Sequence, residues 1–276
     1  MADRIRLRQI CLMTAALEPA IDTLMEVFGL TVCYGKADLS RYGIAYVPPP
    51  PFQAEFFAKH GLVSAQLPIG ETFLELVAPT RADTPAGRFL ERRGPGGYMV
   101  ITEVEDTRLY AARIEAEGVR LAGTVDYPTY HELQLDPRDM GAAILSFSMQ
   151  REGRPFDGGW YPGGPDWQRR AAPGFTAIRV AELAVKAPAD VAAKWGAVIG
   201  RPVVEQDGIA RIGLEGSEIR FVPDVSGRPD RLDSLHIEMD DFRAAQERAR
   251  AKGLCVEHGG IGCNGVTFKQ VSAPWQ

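Results

Sequence analysis

The sequence predicts an α+β protein in which one unit, a strand followed by a helix and three strands, occurs four times. Two ungapped repeats support this prediction. "QICLMTAALEPAIDTLMEVFG" at residues 9–29 aligns with "VAELAVKAPADVAAKWGAVIG" at residues 180–200. "MVITEVEDTRLYAARIEAEGV" at residues 99–119 aligns with "SLHIEMDDFRAAQERARAKGL" at residues 234–254. Single strand–helix pairs recur by chance, but four of them, aligned over about twenty residues, indicate internal repetition.

The first pair of repeats shows an apolar strand, a turn and a helix. The turn contains Pro19 in one copy and Pro188 in the other, and the helices end at Gly29 and Gly200, as a C-cap favours. Apolar residues recur at helical spacing in both copies. They are Leu17, Ile21, Leu24, Met25 and Phe28 in the first helix, and Val191, Trp195, Val198 and Ile199 in the second.

The second pair of repeats has an acidic turn between strand and helix, at residues 105–106 and 240–241. Negative side chains favour a helix N-terminus, so each helix is expected to begin there. Short apolar segments separated by turns follow all four helices and predict three further strands each. They are "LVSAQLPIGETFLELVAP", "YHELQLDPRDMGAAILSFSM", "GIARIGLEGSEIRFVP" and "GVTFKQV". The simpler alternative is an α+β protein without internal repetition.

The four units group into two domains, residues 1–150 and 175–276, joined by residues 151–174. The joining segment is rich in glycine and proline, which end helices and strands. It also contains four aromatic residues, Phe156, Trp160, Tyr161 and Trp167. A freely solvated linker rarely has so many aromatic side chains, so we expect this one to pack against the domains.

The composition is that of an ordinary soluble globular protein. The chain has 276 residues, of which 45% are hydrophobic and 24% charged, and a net charge of −5 without a basic block. These values argue against nucleic acid and anionic membranes as partners. The four cysteines form no C-x-x-C pair and fit the reducing cytoplasm. We therefore expect a cytoplasmic protein with a small-molecule ligand, and a homodimer stays open.

One charged residue stands out in the segment "GETFLELVAP" at residues 70–79. The segment predicts a strand buried on both faces, yet Glu75 lies at its centre. A lone carboxylate is costly to desolvate there, so its presence needs an explanation.

These segments resemble the vicinal oxygen chelate superfamily, which includes glyoxalases, bleomycin-resistance proteins and extradiol dioxygenases. The strongest motifs are "GETFLELVAP", "GPGGYMVITEVED" and "LDPRDMGAAILSF". The resemblance implies four βαβββ modules paired into two cup-shaped glyoxalase-like domains. It also implies a divalent-metal site in the first cup, with ligand positions that hold Gln9, Glu75, Met99 and Ser146 here. Met99 and Ser146 are poor ligands for a hard cation, so we expect no metal or other cofactor. If a metal binds, Gln9 and Glu75 are its expected ligands.

In the second cup the implied ligand positions hold Val180, Arg220, Ser234 and a residue of "GVTFKQV". Arg220 cannot ligate a cation, which argues against the iron centre that extradiol dioxygenases carry there. Glu182 and His236 occupy equivalent positions of the repeats and are expected to meet. With Arg220 they form a polar cluster, for which we favour a structural role over a catalytic one.

Strand alternation assigns the side chains that share the first cup. Phe73, Met99, Ile101 and Ser146 are expected to line it with Gln9 and Glu75, and all except Glu75 are assigned to substrate binding. This mostly apolar lining with a few polar groups is typical of a small-molecule site. Burial should raise the pKa of Glu75 and suit it to general acid–base catalysis. A silent, hydrogen-bonded Glu75 is the alternative.

His131 is the best imidazole near the first cup, although the sequence does not fix the face it lies on. We assign it a catalytic role beside Glu75. The proline run at residues 48–51 and the phenylalanines after it, Phe52, Phe56 and Phe57, predict an apolar flap that ends near His60. That flap is either a lid over the cup or a cover for a sheet edge.

Three functions follow from these observations. The leading hypothesis is a metal-independent isomerase or lyase for a carbonyl-bearing or aromatic metabolite, in which Glu75 moves a proton and Gln9 orients the substrate oxygen. The second is a divalent-metal enzyme of the glyoxalase or dioxygenase type with a degenerate ligand set. The third is a small-molecule binding protein without turnover.

Overall fold

The computed structural model describes residues 3–46, 48 and 61–271. These residues form two eight-stranded, curled sheets with helices on one face of each, which confirms the predicted α+β class and its four repeated units. The proposed flap, with Phe52, Phe56, Phe57 and His60, lies outside the described residues.

The first sheet contains two units connected by helix α2 (Pro85–Arg93), and its strand order is β2-β3-β4-β1-β5-β8-β7-β6. The first unit consists of β1 (Ile5–Met13), α1 (Leu17–Phe28), β2 (Tyr34–Gly35), β3 (Leu62–Ile69) and β4 (Thr72–Pro79). The second consists of β5 (Gly96–Val104), α3 (Thr107–Ala116), β6 (Leu121–Tyr127), β7 (Tyr130–Leu135), the short helix α4 (Pro137–Met140) and β8 (Ile144–Gln150).

The second sheet repeats this arrangement with the order β10-β11-β12-β9-β13-β16-β15-β14. Its first unit consists of β9 (Phe175–Val185), α5 (Pro188–Ile199), β10 (Val203–Gln206), β11 (Ile209–Leu214) and β12 (Ser217–Pro223). Its second unit consists of β13 (Arg231–Met239), α6 (Phe242–Ala251), β14 (Val256–Glu257), β15 (Gly260–Cys263) and β16 (Val266–Gln270).

Local signals in the sequence explain where the helices begin and end. Asp106 caps α3 by accepting a hydrogen bond from a backbone N–H of the first turn, and Asp241 caps α6 in the same way. Helices α1 and α5 end at Gly29 and Gly200, which both have the left-handed conformation that glycine adopts without strain.

The register of the strands supports the alignment of the four units. Cys11 pairs with Glu75 between β1 and β4, and Ile101 pairs with Ser146 between β5 and β8. In the second sheet the same two positions hold Glu182 with Arg220, and His236 with Lys269. The cup position that the sequence left open within "GVTFKQV" is therefore Lys269.

Each unit begins with a strand that carries a β-bulge at the same point. At this point the pairing registers skip one residue in each of β1, β5, β9 and β13, and β9 has a further skip at Thr176. The bulge residues at the equivalent position of the four strands are Arg8, Tyr98, Arg179 and Asp233. In β1 the helix-facing core includes Leu7 and Ile10, so both Arg8 and Gln9 lie on the cup side. The bulge thus determines that the side chain of the following residue, which is Gln9 in β1, points into the cup.

The segment between the domains packs as its aromatic residues predicted. Trp160 and Trp167 are buried in the apolar cluster of the first cup, which also contains Cys11, Phe73, Met99 and Ile101. All four cysteines of the chain lie within the described residues and are free. None of the helices within the described ranges is long and apolar enough to cross a membrane.

The two domains approach each other closely at glycine residues. A Cβ atom added to Gly97 of β5 would overlap the side chain of Leu232 in β13. A Cβ atom added to Gly265 would overlap the carbonyl oxygen of Pro95. Neither gap leaves room for a methyl group, so the absence of a side chain is what permits this interface.

We expect Gly97→Ala to lower the free energy of unfolding by about 1–3 kcal/mol, because Leu232 has to move. The measurement is urea denaturation followed by circular dichroism. Gly213→Ala is the matched control, since no atom lies within 4 Å of the added Cβ and Gly213 is an exposed strand residue. Equal stability of the two variants would contradict the close packing of the domains.

Candidate functional site

A chain of two hydrogen bonds crosses the centre of the first cup. Trp160 Nε1 donates to Gln9 Oε1 at 2.8 Å, and Gln9 Nε2 donates to Glu75 Oε2 at 2.8 Å. An indole N–H can only donate, so the carboxamide oxygen of Gln9 must face Trp160 and its NH₂ group must face Glu75. Trp160 of the joining segment therefore sets the orientation of Gln9, and Gln9 in turn holds Glu75.

Glu75 lies on an inner strand between β1 and β3, beside the fully buried Phe73 and Leu74. Its side chain is nevertheless partly accessible to solvent. Burial raises the pKa of Glu75 above its ordinary value, and the charge of Lys36 opposes this rise in part. Glu75 is thus poised to take up a proton more readily than an exposed glutamate.

Lys36 follows the short strand β2 and contributes a positive charge to the first cup. Its backbone N–H donates to the carbonyl oxygen of Ser64 at 2.9 Å, which holds it beside β3. The Lys36 residue is exposed, yet desolvation by the surrounding protein lowers the pKa of Lys36. The negative charges of Glu75 and Glu132 act in the opposite direction and raise this pKa in part. A cation that is partly desolvated near a carboxylate can stabilise negative charge on a bound ligand.

A second carboxylate, Glu132 of β7, lies in the same cup. Gln134 Nε2 donates to Glu132 Oε2 at 3.2 Å, whereas Glu132 Oε1 is buried without a hydrogen bond among the described residues. Burial raises the pKa of Glu132, the neighbouring hydroxyl of Ser146 lowers it, and the charge of Glu75 raises it further. Glu132 thus keeps one buried oxygen in the interior of the cup, close to Ser146.

Strand alternation around Glu132 is the signal in the sequence that could have found this residue. In "YHELQL", residues 130–135, Leu133 and Leu135 pack in the helix-facing core. Alternation then places Tyr130, Glu132 and Gln134 on the cup face and His131 on the other.

The prediction that His131 serves the first cup is wrong for this reason. Its Nδ1 lies 2.7 Å from Thr107 Oγ1 at the start of α3, on the side of β7 that faces the helix. The imidazole thus connects a strand to a helix and lies away from Glu75.

The remaining cup residues lie where strand alternation predicted them. Phe73, Met99 and Ile101 belong to one apolar cluster in the cup, and Ser146 is fully buried on the same face. Tyr130 completes the wall, with its hydroxyl group donating to Ser148 Oγ at 2.9 Å and its ring stacked on Tyr161 at 5.4 Å.

The bulge residue Arg8 fixes the aromatic linker against the cup. Its guanidinium donates to the carbonyl oxygens of Gly158 and Gly159 at 2.9 and 3.2 Å, and lies over the rings of Phe73, Trp160 and Trp167. Arg8 is fully buried beside Glu103, and desolvation lowers the pKa of Arg8 to about 10. A buried arginine that bonds the linker backbone keeps Trp160 in contact with Gln9.

These residues do not fit the divalent metal that the resemblance implies for the first cup. The oxygen of Gln9 faces Trp160, and Met99 and Ser146 offer only neutral groups. Across residues 3–46, 48 and 61–271, no three His, Cys, Asp or Glu side chains are arranged to hold a metal ion. Glu75 remains as the one charged donor among the four implied positions.

The second cup contains a fully partnered carboxylate instead. Glu182 accepts hydrogen bonds from Ser234 Oγ at 2.7 Å and Lys269 Nζ at 2.8 Å, and lies 3.3 Å from His236 Nε2. Desolvation raises the pKa of Glu182, but His236, Lys269 and Ser234 together bring it well below its ordinary value. The expected meeting of Glu182 and His236 is thus observed.

Arg220 is not part of that cluster, contrary to the expected grouping. Its guanidinium pairs with Glu218, two residues earlier on the same strand. With Arg220 and Lys269 at two of the four implied ligand positions, the second cup does not fit a metal cation either.

Comparisons with known proteins show the fold. The sequence matches no family model and no curated protein. A variant of 4-hydroxymandelate synthase from Streptomyces coelicolor is 14% identical, with a TM-score of 0.67 over 92% of this chain and 76% of that one. A hypothetical protein from Staphylococcus aureus is 14% identical, with a TM-score of 0.63 over 97% and 98%.

A variant of methylmalonyl-CoA epimerase from Streptomyces coelicolor is 18% identical over 54% of this chain and 99% of that one, with a TM-score of 0.43. That likeness is too low to support an argument. The two longer superpositions show that this chain shares the overall fold of those two proteins, and at this identity they show nothing about its reaction.

The opposite environments of Glu75 and Glu182 predict opposite effects on stability. The pKa of Glu75 is higher in the folded state than in the unfolded chain, where a glutamate has a pKa of about 4.3. Ionisation of Glu75 therefore lowers the stability of the fold once the pH rises above about 4.3. The folded-state pKa of Glu182 is lowered, so its ionised form favours folding above the same pH. At pH 7 we expect Glu75→Gln to be as stable as the wild type or more stable, and Glu182→Gln to lose about 1–3 kcal/mol.

Urea denaturation at several pH values between 3 and 8 measures both effects. The gain from Glu75→Gln and the loss from Glu182→Gln should both shrink as the pH falls to about 4 and below, where glutamates become protonated. A Glu75→Gln variant that is strongly destabilised at pH 7 would show that the carboxylate is needed for folding.

Proposed function

We propose that the first cup is the active site of a metal-independent enzyme that transfers a proton on a small carbonyl-bearing or aromatic metabolite. The observation that supports this most directly is Glu75, a carboxylate with a raised pKa that one neutral amide orients in an aromatic cup. A carboxylate with a raised pKa accepts a proton more readily than an exposed glutamate, which suits it to act as a general base. The reaction class that follows is isomerisation or elimination through an enolate.

The reaction begins with a C–H bond next to the substrate carbonyl. The Glu75 carboxylate takes this proton. The electron pair of the C–H bond then forms a carbon–carbon double bond, and the π electron pair of the carbonyl group moves to its oxygen to give an enolate. Lys36 is the cation in the cup that stabilises the new negative charge. Return of a proton to carbon gives an isomer, while departure of a group from the adjacent carbon gives a lyase product.

Glu132 gives the cup a second group for proton transfer. Its pKa is also raised, so Glu132 keeps a proton more readily than an exposed glutamate and can donate it as Glu75 accepts one. The buried Oε1 of Glu132, which has no hydrogen bond within the described ranges, belongs to the same cup. Two carboxyl groups allow the proton to leave and return at different positions.

The role of Gln9 follows from its contacts. Its carboxamide oxygen and one of its N–H bonds are engaged with Trp160 and Glu75, which leaves one N–H for a substrate. Gln9 therefore positions Glu75 and has one N–H left to contact the substrate, while we assign the stabilisation of the substrate oxygen to Lys36.

Two other functions stay as alternatives. A divalent-metal enzyme would need ligands beyond Glu75 and would lose its activity to a chelator. A binding protein without turnover would use the same aromatic walls but would leave the protons of its ligand in place.

Exchange of carbon-bound hydrogen tests the proposal whatever the final product is. The protein is incubated in D₂O and EDTA with a panel of carbonyl and aromatic metabolites, and proton NMR follows the loss of C–H signals. We expect exchange on at least one compound with the wild type. Glu75→Gln should lower that rate by at least about a hundredfold, because an amide cannot accept the proton.

The matched control is Glu115→Gln, which makes the same change at an exposed position of α3. It should exchange like the wild type. Unchanged exchange in folded Glu75→Gln would refute the role of Glu75, and exchange that requires added divalent ions would favour the metal enzyme. Binding of a metabolite by isothermal titration without any exchange would favour the binding protein.

A further inference from the structure

A pocket of about 270 Å³ lies between the two domains. The C-terminal turn of α2 and the start of β5, residues 92–97, form one wall. The connection into β13, with Arg228 and Arg231, forms the other, and Gly265 also contributes to the lining. Both domains therefore build this pocket.

Four guanidinium groups dominate the lining, namely Arg92, Arg93, Arg228 and Arg231, and no acidic residue lines it among the described residues. Like charges around one small volume repel one another unless anionic groups compensate them. The pocket is thus an electrostatically distinctive feature of a chain whose net charge is −5.

Carboxylates compensate the two arginines of the second domain. Arg231 pairs with Asp224 and Asp233 at 2.7 Å each, and Arg228 pairs with Asp233 at 3.0 Å. These ion pairs hold the two guanidinium groups in place and leave part of their N–H bonds for a ligand, because each guanidinium has five.

The arginines of the first domain have no such compensation. Arg93 donates to the carbonyl oxygen of Asp230 at 2.6 Å, across the domain interface, and this acceptor is neutral. Arg92 is exposed, and neither residue forms an ion pair in the part of the chain that the structure describes. Two uncompensated positive charges therefore remain at the pocket.

We propose that this pocket binds an oxyanion with two or more negative charges, of the phosphate-ester or pyrophosphate class. Guanidinium groups match such oxyanions because they donate two parallel hydrogen bonds to neighbouring oxygens. The ring of Phe89, which also lines the pocket, offers an apolar surface to the remainder of the ligand. The ligand would contact both domains and stabilise their association.

The pocket lies next to the first cup. Phe89 contacts Tyr98 edge to face, with ring centroids 5.0 Å apart, and both pack against the apolar cluster of that cup. The same anion chemistry could belong to the tail of the substrate or to a separate effector. Competition distinguishes them: pyrophosphate should inhibit hydrogen exchange only if the substrate carries the anion into this pocket.

Isothermal titration with pyrophosphate, and with inorganic phosphate, tests the site directly. Ionic strength is held constant, since exposed charges are screened by salt. We expect saturable binding of pyrophosphate that is tighter than that of phosphate, and a pyrophosphate-dependent rise in the melting temperature. The double variant Arg92→Gln with Arg93→Gln should bind at least about tenfold more weakly, and its fold should be intact because both residues are exposed.

Arg243→Gln is the matched control, because it removes one exposed arginine from α6, away from the pocket. It should bind pyrophosphate like the wild type. Absence of saturable binding in the wild type would overturn the proposal and leave Arg92 and Arg93 as ordinary complements of a helix C-terminus. Equal binding by the double variant would overturn it too, by placing the anion elsewhere. Neither result bears on proton transfer by Glu75, since no substrate is used.

Discussion

The hydrogen bond from Gln9 to Glu75 is the contact on which the first cup depends. It requires the β-bulge that turns Gln9 into the cup, the inner strand that carries Glu75, and Trp160 of the joining segment to orient the amide. The charge of Lys36 and the neighbouring donors Ser64, Cys11 and Gln9 offset only part of the desolvation of this carboxylate, so the pKa of Glu75 stays raised. The reactive character we propose for Glu75 follows from this incomplete compensation.

The second cup shows the opposite outcome on the same scaffold. Its bulges and register repeat those of the first, but Glu182 receives an ammonium group, a hydroxyl group and an imidazole, which stabilise its charge. The last strand of each unit has one equivalent position that points into the cup. In chain order, the four units hold Glu75, Ser146, Arg220 and Lys269 there. The repeated backbone thus fixes where side chains meet, and the residue types decide between a reactive and a stabilised carboxylate.

Periodicity and turn residues predicted the four units, because most of their strands and helices have a local signal, such as the caps at Asp106 and Asp241. Alternation placed Gln9 and Glu75 correctly in the first cup. It could not place Lys36, which follows a two-residue strand without a pattern.

Two other parts of the site depend on packing rather than on local sequence. An imidazole suits either face of a strand, and the burial of Leu133 and Leu135 in the core is what puts His131 on the helix side. The contact of Trp160 with Gln9 joins residues 151 positions apart, and no local pattern encodes it.

The most direct test of the central claim is the pKa of Glu75 itself. Carbon-13 NMR of protein labelled at the glutamate side-chain carboxyl, with Glu75→Gln to assign the signal, measures its titration in the folded state. We predict a midpoint clearly above the value of about 4.3 for an unperturbed glutamate, and the upward shift should persist when a chelator is present. A midpoint at or below that value would contradict the claim, because Glu75 would then be a stabilised anion like Glu182.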